Sequence, residues 1–157
     1  MEEPQDLILL QRQRVYHVDL REILPTSTVY GRDIEQEVLR QWIVQDCCRI
    51  ISVVGLGGIG KTTLVGLITK EIQNSFDYVF WYSLLQAPPL AVFMERYLRF
   101  LSDQQHTFLP NSLEEQFFLL RDYWCRHRCL LVLDNFDTIF QGRAHAGLGK
   151  QKELHIR

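Results

Sequence analysis

The chain has 157 residues, enough for one domain with a real core. Its 46% hydrophobic and 23% charged content is ordinary for a soluble globular protein. A net charge of −2 excludes a global field that recruits nucleic acid, and no apolar run reaches membrane-spanning length.

Residues 1–28 read as a mixed N-terminal segment and linker. Met1-Glu2-Glu3-Pro4 is acidic where a secretory signal would be basic, and Leu7-Ile8-Leu9-Leu10 is too short for its apolar core. The expected location is therefore the cytosol. Gln11-Arg12-Gln13-Arg14 is polar, and Pro25-Thr26-Ser27-Thr28 reads as a turn or linker. A helix is expected from Asp33, with Asp33 as N-cap and Gln36 in the capping-box position. Ile34, Val38 and Trp42, flanked by Leu39 and Ile43, form its apolar stripe. A strand over about Arg49 to Val54 follows, then a glycine-rich loop, then a helix ending near Asn74-Ser75.

The next strand, Tyr78 to Leu84, is apolar on both faces, as a buried parallel strand should be. Pro88-Pro89 opens another helix, with Leu90, Phe93, Tyr97 and Leu101 at helical spacing. The chain breaks at Phe108-Leu109-Pro110-Asn111. Ser112 with Glu115 makes a second capping box, and Leu113, Phe117, Leu120 and Trp124 form a stripe read as core. The last strand is Cys129-Leu130-Leu131-Val132-Leu133, ending in Asp134-Asn135. Alternating strands and helices imply an α/β fold with a parallel, helix-covered sheet, whose ligands bind at the carboxyl ends of the strands.

Gly55 to Thr62 fit the phosphate-loop pattern G-x-x-x-x-G-K-[ST], between a β-branched run and a helix. Glycines let successive backbone N–H groups turn inward around phosphate oxygens, because no Cβ blocks the approach. The helix start adds unpaired N–H groups and the positive end of its dipole. Lys61 would reach the β- and γ-phosphates, and the Thr62 hydroxyl would sit on Mg²⁺. Gly55, Gly57 and Gly60 also spell G-x-G-x-x-G, the dinucleotide fingerprint. That reading wants a carboxylate at the end of the second strand; the run ends in Ser83, Leu84 and Gln86, and Asp77 precedes it. Lys61-Thr62 would also go unexplained.

Leu130-Leu131-Val132-Leu133-Asp134 reads as the partner of the loop. A buried strand delivers Asp134 beside the phosphates, where its carboxylate can hold Mg²⁺. Cys47 and Cys48 are adjacent, and three residues separate Cys125 from Cys129. Neither spacing suits a zinc site, and free buried thiols are the plainer reading.

Residues 29–140 resemble the NB-ARC nucleotide-binding domain of the STAND signalling P-loop NTPases, notably the cyanobacterial branch that often carries repeat domains. Val29-Tyr30-Gly31-Arg32 is similar to its V-x-G-R motif, which lies against the adenine. Gly55 to Leu64 is similar to its phosphate loop, Phe76 to Ser83 to its F-D-x-x-x-W-x-S strand, and Leu130 to Asn135 to its L-V-L-D-[DN] strand. The resemblance implies a three-layer αβα sandwich that binds ADP at rest and ATP, with Mg²⁺, in an active and often oligomeric state. Exchange would move attached domains and signal to an effector. It implies nucleotide contacts from Val29, Tyr30, Gly31, Arg32, Gly55, Gly57, Gly58, Ile59, Gly60, Lys61, Thr62 and Thr63, with Thr62 and Asp134 on the metal and Lys61 and Asp134 as catalytic groups.

Two departures stand out. Where the family often has a second acid, this chain has Asn135, which cannot accept a proton, so slow hydrolysis is expected. Asp137 would substitute only if turned inward; a solvated or helix-capping role is the plainer reading. Second, the family's later strands, sensor Arg and winged helix are missing. Residues 141–157, glycine-rich and basic, read as a disordered tail, and His145 and His155 receive no role. The expectation is a truncated or frame-disrupted product, or one piece of a split protein, with two strands of its sheet unpaired or forced together. A catalytic P-loop ATPase or kinase, and a remnant that no longer binds nucleotide, are the alternatives; the sequence offers no clear base or substrate pocket for the former.

Overall fold

The computed structural model describes residues 16–23, 31–103, 109–140 and 152–156. Five strands and five α-helices lie within them: β1 (His17–Asp19), α1 (Asp33–Arg40), β2 (Ile51–Gly55), α2 (Lys61–Ile72), β3 (Tyr78–Ser83), α3 (Leu90–Leu101), α4 (Leu113–Arg126), β4 (Cys129–Asp134), α5 (Asp137–Phe140) and β5 (Lys152–Ile156). One sheet has the order β1-β3-β4 and the other pairs β2 with β5; every pairing is parallel. Among the described residues no helix is long and apolar enough to cross a membrane.

β3 is the axis of the molecule. Its aromatic and β-branched residues suit a strand covered on both faces. Tyr78, Phe80, Tyr82 and Leu84 point to one side and meet Met94, Tyr97, Leu98 and Leu101 of α3 and Leu120 of α4. Val79 points to the other, joining Leu39 of α1, Leu64, Ile68 and Ile72 of α2, and Ile156 of β5. The alternation of the strand thus separates two cores, one on each face. Phe80 stacks on Tyr97 at 5.0 Å between ring centroids and lies equally close to Phe100. Burying a ring of this kind contributes about 1.5–3 kcal/mol.

The fold corrects several expectations. Within residues 1–28, which the sequence presents as a mixed N-terminal segment and linker, His17–Asp19 form β1 on the free edge of β3, with His17 opposite Tyr78 and Asp19 opposite Phe80. The Asp19 carboxylate is held below the usual range, first by its hydrogen bonds from the Arg21 side chain. The box at Asp33 and Gln36 does not form: Arg32 is the N-cap, without a side-chain cap, and Asp33 is already helical. Gln36 N–H instead donates to the Arg32 carbonyl, and Arg32 pairs with Glu35 at 2.7 Å. The stripe of α1 centres on Leu39, while Ile34 is 79% exposed. A π-helical turn, Gln41–Gln45, continues it.

The expected cap at Ser112 is present, its Oγ accepting from Glu115 N at 3.1 Å. The stripe on α4 is not core throughout. Leu120 is buried, whereas Leu113, Phe117 and Trp124 are each about half exposed. Trp124 keeps one inward tie, its Nε1 donating to the Tyr97 hydroxyl at 3.0 Å. Burial raises the pKa of that hydroxyl.

The disordered tail is corrected at its end. Lys152–Ile156 form β5, paired with β2 from Ile51 opposite Lys152 to Gly55 opposite Ile156. The reason is legible afterwards: Leu154 and Ile156 alternate with exposed Glu153 and His155, a strand period too short to stand out beside the glycine-rich, basic stretch before it. Lys152 fastens the strand start, pairing with Asp46 at 2.7 Å and lying over the Trp42 ring. Residues 141–151, including His145, lie outside the described residues; His155 is a surface side chain 3.4 Å from Glu153. β2 is therefore paired, though not with β4.

The four cysteines are free thiols, and the expectation that they are buried fails for Cys47 and Cys125, which are exposed. Burial pushes the Cys129 thiol up to about 12.

Candidate functional site

The site is assembled where β2, β3 and β4 end. β2 runs out at Gly55, where an added Cβ would stand 2.7 Å from the backbone oxygen of Ile156. Only glycine lets the loop leave the strand while β5 stays paired. Gly58 and Gly60 have φ of +76° and +92°, the left-handed region where a side chain is strained. Between them the loop turns tightly, with Ile59 N–H directed to the Leu56 carbonyl at 3.4 Å. Gly57 and Leu56 are exposed.

Gly60 is the N-cap of α2, without a side-chain cap and without an acid in the first turn. The first-turn N–H groups and the helix dipole are thus left for an anion. Lys61 folds back over the loop, its Nζ donating to the Gly55 and Leu56 carbonyls at 2.9 Å each. The ammonium therefore spans the mouth that the glycines surround. Thr63 lies half-buried in the same first turn.

Thr62 carries the contact that joins the two motifs. Its hydroxyl donates to Asp134 Oδ1 at 2.9 Å, across 72 positions of sequence. Asp134 stands at the end of β4 because β4 pairs in register with β3, Ser83 opposite Asp134. Asn135 follows at φ +55°, a conformation that asparagine tolerates better than most residues. Its backbone N–H donates to Asp134 Oδ1 at 2.9 Å, and its Nδ2 donates to Ser83 Oγ at 3.2 Å. The Thr138 hydroxyl donates to the Leu84 and Asn135 carbonyls, tying this turn to the end of β3. Asp137 is the exposed first residue of α5, as a solvated acid would be.

The structure thus gathers the loop, Lys61, Thr62 and Asp134. Gly31, at φ +69°, and Arg32 lead into α1, which packs against α2, the helix that begins at the loop. Val29 and Tyr30 lie outside the described residues. Two polar groups at the site went unnoticed in the sequence as participants. Ser83 stood in a recognised stretch without a role, and Glu22, whose Oε2 accepts from Ser83 N–H at 2.6 Å, had no local signal at all.

The comparisons fit this geometry. The family model of the NB-ARC domain matches residues 32–140. An uncharacterized WD repeat-containing protein of Nostoc sp. is 39% identical over 83% of this chain and 11% of its own length. A probable disease resistance RPP8-like protein of Arabidopsis thaliana is 29% identical over 82% of this chain and 15% of its own. A disease resistance protein of Vitis rotundifolia is 23% identical over 69% of this chain and 8% of its own. The chain therefore spans only a small part of the relatives it matches. No solved structure gives a significant match. With its phosphate loop and strand-end acid in contact, the chain belongs to the NB-ARC family of nucleotide-binding P-loop domains.

Proposed function

We propose that this chain is the ADP- and ATP-binding part of a signalling switch of the STAND type, with slow hydrolysis. The observation that carries the reading is the 2.9 Å hydrogen bond from Thr62 to Asp134, which brings the phosphate loop and the acidic strand end to one point. A hydroxyl and a carboxylate so placed are the hard oxygen donors that Mg²⁺ takes, so the residues fit the ion. Thr62 and Asp134 would hold it, and it would neutralise phosphate charge.

The chain's own residues account for the rest. The loop N–H groups and the start of α2 receive phosphate oxygens, and Lys61, now on two carbonyls, turns its remaining donor capacity to them. Asn135 stands where a base would help activate water, and its amide accepts no proton. Asp137 is exposed at the start of α5, as a solvated acid is. Binding without fast turnover suits a switch, because a γ-phosphate that favours one domain arrangement shifts the populations. The repeat-bearing and disease resistance relatives support a place in a larger signalling protein that carries repeat domains; effector partners, oligomer formation in the ATP state and a cytosolic setting belong to the same proposal.

Asp134→Asn tests the metal role. The affinity gain that wild-type protein shows for ADP on adding Mg²⁺ should shrink by about 10–100-fold in the variant, while affinity in chelator stays near wild type. An undiminished gain would remove Asp134 from the ion site. ATP turnover of the wild-type chain should stay below about one per second, the low end for working kinases; phosphate release above that rate would show a base elsewhere.

A further inference from the structure

Residues 16–23 precede the stretch matched by the family, yet His17–Asp19 within them are built into the sheet. The ladder of β1 ends at Asp19, opposite Phe80. Beyond it a side chain takes over: Glu22 Oε2 accepts the Ser83 backbone N–H at 2.6 Å, where a longer strand would offer a carbonyl. The other oxygen of Glu22 is bound by Arg96, whose guanidinium lies over the rings of Phe80 and Tyr82 at 5.7 and 5.2 Å. Both carboxylate oxygens are therefore fixed. At the far end of β1, His17 stacks on Tyr78 at 4.7 Å and meets Asp103 at 2.6 Å.

From Glu22 a chain of hydrogen bonds runs to the phosphate loop. Ser83, held by Glu22, accepts from Asn135 Nδ2 at 3.2 Å; Asn135 N–H donates to Asp134 Oδ1 at 2.9 Å; the same oxygen accepts from Thr62 at 2.9 Å. We propose that Glu22 is a positioning residue for the nucleotide site, and that β1 docks more tightly on β3 when nucleotide and a divalent cation are bound. This rests on the function proposed above.

Coupling of this kind needs an element with two states, and in this proposal β1 is that element, docked or released. Three residues of ladder are a small hold, so side-chain contacts decide whether the segment stays docked. When docked, Glu22 fixes the end of β3. Ser83 then anchors Asn135 in its left-handed turn, and that turn orients the carboxylate shared with Thr62. When β1 is released, the end of β3 loses its partner and Asp134 loses its aim. A ligand that needs Asp134 in place favours the docked state, and by linkage the docked state favours the ligand equally.

The test compares ADP affinity with Mg²⁺ and with chelator in wild type, Glu22→Ala and Glu22→Gln. Glu22→Ala should reduce the Mg²⁺-dependent gain by about fivefold, in the range of such couplings, and leave affinity in chelator within about twofold. Glu22→Gln keeps an acceptor for Ser83 N–H and should recover most of the gain. A merely structural role would lower both affinities together. In wild type, hydrogen exchange at His17, Asp19 and Ser83, whose N–H groups face the β1–β3 seam, should slow on adding ADP with Mg²⁺, a readout that does not depend on either variant folding. An undiminished gain in both variants, or exchange at β1 indifferent to nucleotide, overturns the inference alone. A wild-type chain that binds no ADP overturns the function on which it rests, and this inference with it.

Discussion

Lys61→Ala is expected to weaken ADP binding by about 10- to 100-fold, the loss of one charge-assisted hydrogen bond to phosphate at about 1.5–3 kcal/mol. The effect should fall on binding rather than on folding. Lys61 Nζ is accessible and, among the described residues, bonds to the Gly55 and Leu56 carbonyls, which water can satisfy when the ammonium is gone. The melting transition should therefore move little. Titration of a fluorescent ADP analogue measures the first quantity and a thermal scan the second. Equal affinity in wild type and variant would mean that the loop does not hold the phosphates. A variant that loses its fold would mean that Lys61 chiefly closes the loop.

Phe80→Ala carries the largest expected cost to stability, about 3–5 kcal/mol. Phe80 is fully buried at the middle of β3, opposite Asp19 on one neighbour and Leu131 on the other. Its ring touches Tyr82, Tyr97 and Phe100, and Arg96 lies over it. Removing the ring leaves a cavity among side chains from β3 and α3, and loosens the cation that binds Glu22. Against a total of about 5–15 kcal/mol for a domain, this is a large fraction. Urea denaturation should show a sharply lower midpoint. A shift below about 1 kcal/mol would mean that the packing around β3 is not as tight as described.

How much of this was legible depended on whether the signal was local. The phosphate loop, β3 and β4 stood out because chemistry or burial dictates a run of adjacent residues: glycines where a Cβ cannot fit, and apolar residues on both faces of an enclosed strand. Asp134 followed from its strand. β1 escaped because three residues carry no period, and what holds them is an edge of β3 reached only by folding. β5 escaped for a related reason, since its alternation over Glu153 to Ile156 is shorter than the glycine-rich composition that precedes it. The stripe on α4 is less buried than its spacing suggests: helical spacing shows that residues share a face, not that anything covers it, and Phe117 and Trp124 stay half exposed. The cap assigned to Asp33 failed because Arg32 begins the helix one residue earlier, satisfying its side chain on Glu35. Glu22 had no signature at all. Its partner Ser83 lies 61 positions away, and a lone acid in a mixed segment reads as solvated.

The most direct measurement of the central claim is calorimetric titration of the wild-type chain with ADP, in Mg²⁺ and in chelator. Saturable binding of one nucleotide per chain is expected, with affinity near micromolar and tighter with the ion. A folded, monodisperse sample that takes up no heat with ADP or ATP in either condition would contradict it.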